Sequence, residues 1–170
     1  EALQVLAETS SDRLERKDAF ERAARSCEDR QRDDEAFDFL LRALREDLAD
    51  RDLRARAETL AGRYDSWDAL ASVYQRVSEQ DLPPEEAAEI HVRLGAHHAD
   101  RQDPARAVAE LQLALERRPD HPEAIEQLEQ LFAREGDFSG LVEVFRRRIA
   151  HTEDPVQRAA LMRQMADLQA

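Results

Sequence analysis

The chain repeats itself, first at 34 residues and then, over a longer span, at 71. Asp29-Arg30-Gln31 falls on Asp100-Arg101-Gln102, and behind it Ala36, Leu40, Ala43 and Leu44 fall on Ala107, Leu111, Ala114 and Leu115. The same shift sets Trp67 on Phe138, Leu70 on Leu141, Tyr74 on Phe145 and Pro84 on Pro155. A half-unit of about 34 residues is the size of one helical hairpin. No such hairpin buries enough apolar surface to fold alone, so hairpins must stack, and a stack exposes a long surface. That constraint points to binding rather than catalysis.

Apolar residues recur at spacings of three and four, and strand-like alternation is absent, so the fold class is all-α. The spacing predicts helices over about 1–9, 12–30, 33–47, 50–63, 66–80, 84–101, 104–118, 122–135, 138–151 and 155–169. Punctuation supports these breaks. Asp103-Pro104 and Asp154-Pro155 place an N-cap acid before a proline at the first helical position. Gly136-Asp137 ends one helix and caps the next. The chain reads as one domain over 1–170: a half-unit at 1–10, hairpins at about 12–48, 50–81, 84–119 and 121–153, and a half-unit at 155–170. Three extra residues before Pro84 and Pro155 predict longer loops at every second connection.

Composition narrows the partners. Net charge is −13, so phosphate backbones and anionic lipid repel the chain, and neither nucleic acid nor a membrane surface is expected. Of the 25 basic residues only Lys17 is a lysine. The lone Cys27 excludes an internal disulfide and a cysteine-based zinc site. No stretch approaches the apolar length of a membrane span, and the expected compartment is the cytoplasm.

The residues offer little chemistry. His91 and His98 lie seven apart with Leu94 and Gly95 where convergent ligands would stand, so they read as hydrogen-bonded interior histidines without a metal. His121 and His151 read as solvent-exposed helix-end residues, and Cys27 as a buried packing residue. Trp67, like Phe138, reads as a plug between hairpins. No G-x-S-x-G, phosphate loop, H-E-x-x-H or dinucleotide fingerprint occurs, and no cofactor is implied.

Residues 88–119 resemble a tetratricopeptide repeat. Leu94-Gly95 matches that family's large-then-small pair, Ala107 the small residue where the two helices cross, Leu111 and Ala114 the next packing positions, and Pro119 the closing proline. Residues 122–153 resemble it through Leu128, Phe132, Gly136-Asp137, Phe138 and Phe145, with Leu141 departing from the small crossing residue. Residues 17–48 match through Ala23-Ala24, Ala36, Leu40, Ala43 and Leu44, and 51–82 more loosely through Trp67, Leu70, Tyr74 and Val77. The resemblance implies a right-handed α-α superhelix of hairpins, cut from a longer bacterial-type array. It also implies a non-catalytic protein- or peptide-binding scaffold. A regulatory or sensory module attached to an enzyme or transcription regulator is the alternative. An RNA-reading helical repeat and a small histidine enzyme are more distant rivals.

In that family the first helices line a concave groove, and this sequence places a row of arginines on them. Arg22, Arg56 and Arg93 recur at one position of three first helices, Gln127 continues the row, and Arg25, Arg63 and Arg134 lie on adjoining rows. Such a groove would be locally positive and would take an acidic segment or a C-terminal carboxylate. Asp18, Asp52 and Glu89 each lie four residues before a row arginine, which predicts ion pairs along the helix as a competing use of the same side chains. The lysine-and-asparagine carboxylate clamp of chaperone-binding relatives is absent, with Ala96 and Thr59 on the row concerned. In register, 1–9 and 155–169 are unpaired helices baring Leu3 and Leu6, and Leu161, Met162, Met165 and Leu168. End-to-end self-association through those faces is expected.

Overall fold

A computed structural model describes residues 10–76 and 81–168. The half-unit expected at 1–10 therefore falls almost wholly outside the described residues, as does the end of the helix expected to reach 80. The described residues hold nine helices and no strand: α1 Arg13–Glu28, α2 Asp33–Glu46, α3 Arg51–Arg63, α4 Trp67–Tyr74, α5 Pro84–Asp100, α6 Pro104–Arg117, α7 Pro122–Glu135, α8 Phe138–His151 and α9 Pro155–Leu168. They fall into two compact units, Glu1–Leu82 and Pro83–Ala170. The division lies at Leu82-Pro83, which in the sequence reads only as a break between hairpins.

The hairpin turns carry the repeat in their backbone. Each first helix ends on a residue in the left-handed region: Gln31 (φ 58°), Asp65 (φ 51°), Gln102 (φ 58°) and Gly136 (φ 69°). In each case the next amide donates to the carbonyl five residues back, at 2.9 Å: Arg32 to Cys27, Ser66 to Ala61, Asp103 to His98 and Asp137 to Phe132. This closure satisfies a helix-end carbonyl that would otherwise lack a partner. The turns are spaced 34, 37 and 34 residues apart (31 to 65 to 102 to 136), which is how 34 and 71 coexist.

Before Pro155 the extra three residues are not where the sequence suggested, and the connection before Pro84 includes 77–80, outside the described residues. The connection before Pro155 is only Thr152–Asp154, shorter than Asp47–Asp50 or Arg118–His121. The length goes into helices instead. First helices α1 and α5 have 16 and 17 residues, whereas α3 and α7 have 13 and 14. Three residues make most of one helical turn, so a whole turn is added without rotating the apolar face far.

That added turn bears ion pairs that close each leading hairpin. Near the start of α1, Arg16 Nη2 meets Glu46 Oε2 at 2.7 Å, and Lys17 Nζ meets Asp47 and Asp50 at 2.8 and 2.6 Å. Near the start of α5, Glu85 pairs with Arg118 beyond the end of α6. Asp50 also caps α3 by accepting from the Leu53 amide. One acid thereby fixes both a hairpin and the entry to the next.

Packing follows the apolar stripe. In the first unit Ala36, Leu40, Ala43 and Leu44 of α2 are fully buried, with Ala57 and Ala61 of α3 and Leu70 of α4. Tyr74 is 1% exposed, and its hydroxyl donates to Glu58 at 2.8 Å, so the ring is buried with its polar tip satisfied. In the second unit Ala88 and Val92 of α5, Ala107, Leu111 and Ala114 of α6, and Ala124, Leu128 and Leu131 of α7 form one cluster. Gly95 sets the approach of α5 and α6: a Cβ there would stand 2.7 Å from Leu111 Cγ. In α8 the close approach is made by Gly140, whose Cβ would meet the Phe132 ring at 2.6 Å, with Leu141 buried beside it. The small crossing residue that Leu141 displaced in sequence thus sits one position earlier.

The repeat match between Trp67 and Phe138 does not extend to burial: Phe138 is 61% exposed, whereas Trp67 is half-buried. His121 is buried, not solvated, because its Nδ1 accepts from the Ala124 amide at 3.4 Å and so caps α7. His151 is exposed as read, and Cys27 is a buried packing residue.

Candidate functional site

The seven residues singled out on the first helices divide between the units, with Arg22, Arg25, Arg56 and Arg63 in the first and Arg93, Gln127 and Arg134 in the second. In the first unit the arginines are largely met by acids of the neighbouring hairpin. Arg56 on α3 grips Glu28 on α1, with Nη2 at 3.0 Å from both carboxylate oxygens and Nε at 3.2 Å from one. Glu21, about two turns before Glu28 on α1, pairs with Arg25 and lies 3.6 Å from Arg56 Nη1. Arg63, at the end of α3, is drawn to Asp33 at the start of α2 (2.6 Å), which also accepts from the Tyr64 hydroxyl. Arg22 is exposed and makes no ion pair among the described residues.

The predicted pairing along the helix is therefore replaced for Arg56. Asp52 is the residue four before it, but Glu28 and Glu21 hold the guanidinium from α1. A bidentate grip in a half-buried place outcompetes an exposed single contact along one helix. Asp18 likewise makes no pair with Arg22 among the described residues.

In the second unit Arg93 on α5 reaches Glu123 at the start of α7 at 2.9 Å, and the same carboxylate oxygen accepts from Gln127 Nε2 at 3.3 Å. About one turn on, Gln130 Nε2 donates to Glu126 at 3.3 Å. Arg134 is exposed, and its Nε lies 3.3 Å from the adjacent Glu135. Between these side chains runs an open groove of about 430 Å³, with Ala96, Ala99 and Asp100 of α5 on one wall and Gln127, Gln130, Leu131 and Arg134 of α7 on the other. Two of the seven predicted residues, Gln127 and Arg134, line it. Arg93 stands outside its lining, occupied by Glu123.

The electrostatics differ from a bare positive stripe. Arg25, Arg56, Arg63, Arg93 and Arg134 each have a carboxylate within 4 Å. Those acids are tertiary neighbours 28–30 residues away for Arg56, Arg63 and Arg93, a spacing that no pattern along a single helix reveals.

Of the two interior histidines, His91 is held by a hydrogen bond. His91 is 5% exposed, with Nδ1 at 2.8 Å from Glu110 Oε2 across the α5–α6 hairpin. His98 is buried beside His97, their rings 5.6 Å apart. Sequence reasoning missed Arg54, which is buried to 5% exposure and donates Nη1 to the Leu48 carbonyl in the connection between hairpins. Its signal lay in its place beside Leu53, one residue from the apolar stripe. No three of the described His, Cys, Asp or Glu side chains come together to hold a metal ion. No helix among the described residues is long and apolar enough to cross a membrane. No protein-family model matches the chain, and no curated protein matches it either.

Proposed function

We propose that this chain is a non-catalytic protein- or peptide-binding scaffold, a stretch of tetratricopeptide-like array working in the cytoplasm. In that reading the hairpins wind as a right-handed superhelix and the first helices carry the ligand. The observation that supports it best is the α5–α7 groove, which is open, floored by Ala96 and Ala99 and walled by amide and guanidinium side chains. Small residues admit a partner's backbone, and side-chain amides match its peptide groups as donor and acceptor.

The ligand proposed is an extended segment with an acidic residue or a terminal carboxylate, because exposed Arg134 keeps N–H donors beyond the one spent on Glu135. The test is an array of short peptides probed with the parent protein, with Ala96→Trp, and with Arg134→Gln. Filling the groove at Ala96 should abolish peptide capture while helical circular dichroism stays intact, and Arg134→Gln should lose acidic peptides selectively. Capture that survives Ala96→Trp would move the site off this groove.

A further inference from the structure

The mouth of the α5–α7 groove carries two opposite charges one repeat apart, Asp100 on α5 and Arg134 on α7. Both stand at the turn end of their helices, and they do not pair with each other. The Asp100 side chain makes no ion pair among the described residues. Arg134 spends only its Nε, on the neighbouring Glu135, with both side chains about half exposed. Such an exposed contact is weak and leaves the two outer nitrogens open.

Gln127 and Gln130 on the α7 wall each donate Nε2 one turn back, to Glu123 and Glu126. Asp100 puts a carboxylate on the facing α5 wall. A purely acidic ligand would satisfy Arg134 and be repelled by Asp100, in a chain whose net charge is already −13. A purely basic ligand would satisfy Asp100 and meet Arg134. Only a ligand with both signs satisfies both walls.

We propose that the groove selects an extended peptide carrying a basic and an acidic residue two apart, the base on Asp100 and the acid on Arg134. Alternate side chains of an extended chain share one face and lie about 7 Å apart. Asp100 and Arg134 line one groove from two helices that touch, so each can take one of the pair. The residue between them points away from the groove. This inference rests on the groove being a peptide seat and names what sits in it.

The test uses amide NMR shifts of the isotope-labelled chain with four capped alanine pentapeptides, bearing at their second and fourth places Arg and Glu, two Glu, two Arg, or two Gln. The Arg–Glu peptide should bind tightest, with shifts at Ala96, Ala99 and Leu131, by about fivefold over each like-charged peptide. Asp100→Arg should move the two-Glu peptide to first rank, and Arg134→Asp the two-Arg peptide. If the two-Glu peptide ranks first with the parent, or if the charge reversals leave the order unaltered, the dipolar selection is wrong and the groove remains a peptide seat. If none of the four moves the groove signals, the seat itself is wrong and both readings fall.

Discussion

Gln31 and Gln102 stand 71 residues apart and hold the same backbone angle, φ 58°, in turns closed by equivalent 2.9 Å hydrogen bonds. A side chain in that region crowds its own carbonyl and costs about 1–2 kcal/mol. Gly136 occupies the matching place without that cost, and a Cβ there would meet nothing within 4 Å. Gln102→Gly should therefore stabilise the protein by about 0.5–1 kcal/mol, and Gly136→Ala should destabilise it by about 1 kcal/mol. Urea unfolding midpoints of the two variants moving in opposite directions would bear out the shared turn, while a loss in both would contradict it.

Gly95→Ala sets propensity against packing. In an exposed helix interior this exchange gains up to about 1 kcal/mol. Here the new methyl would lie 2.7 and 2.9 Å from two carbons of Leu111, which is itself fully buried. The clash should win, with a net loss of about 1–3 kcal/mol, and Ala107→Leu at the same crossing should cost a similar amount. Thermal melts reading no change in either would mean that α5 and α6 do not cross there.

The Lys17 bridge gives a pH dependence with a definite sign. Burial works against the Lys17 charge, but hydrogen bonds and charges from Asp47 and Asp50 outweigh it and raise its pKa above 10.5. Burial also works against ionised Asp50, yet the bonds from Lys17 and the Leu53 amide prevail and lower its pKa below 3.8. Asp50 therefore stabilises the fold above the unfolded carboxylate pKa, and that contribution is lost as pH falls through the lower folded value. Lys17 contributes fully below pH 10.5 and loses its contribution as pH rises past its folded value. Lys17→Met should lower stability at neutral pH and flatten its fall on the acid side, which chemical denaturation at a series of pH values would read.

Replacing Glu28 by Gln frees Arg56 from its principal carboxylate. Both side chains are about a quarter to a third exposed, so the stability cost should be about 1 kcal/mol or less and should shrink with added salt. A loss of several kcal/mol, independent of salt, would show that the pair acts as a buried anchor.

Self-association has one describable face. In α9, Leu161 is buried, but Met162 is 48% and Val156 is 76% exposed, with Met165 half-buried. The opposite face expected at Leu3 and Leu6 lies outside the described residues. Sedimentation should find concentration-dependent association in the parent that Met165→Glu weakens. Equal monomers at high concentration would remove the expectation.

What could be read from sequence was what is local. Helix bounds agreed within a few residues for α1 to α3 and α5 to α9, with Asp103, Asp137 and Asp154 at the helix starts they mark in the sequence, while the end expected for α4 lies outside the described residues. Ala36 and Ala107 are fully buried as their spacing required. What escaped was tertiary. Glu28 reaches Arg56 across hairpins, where periodicity along one helix pointed to Asp52. His121 looked like a loop residue before Pro122, yet its ring nitrogen does the work usually given to an aspartate. The alternation of 34 and 37 was plain in the letters, but whether a loop or a helix absorbed the difference depended on where the left-handed turns fell. The candidate groove was legible at Gln127 and Arg134, and its charge was not, since Arg56, Arg63 and Arg93 take their acids from other helices.

The longer first helices bear on how such a chain could be lengthened or rebuilt. The added turn of α1 and α5 holds one half of each clasp, and the connection after the second helix holds the other half. A graft of 34 residues would set two short first helices in succession and strand the acids or bases that expect a long one. A graft of 71 would bring both halves together. The portable segment is a pair of unequal hairpins, and duplication, deletion or exchange should be tolerated in that quantum and poorly in half of it.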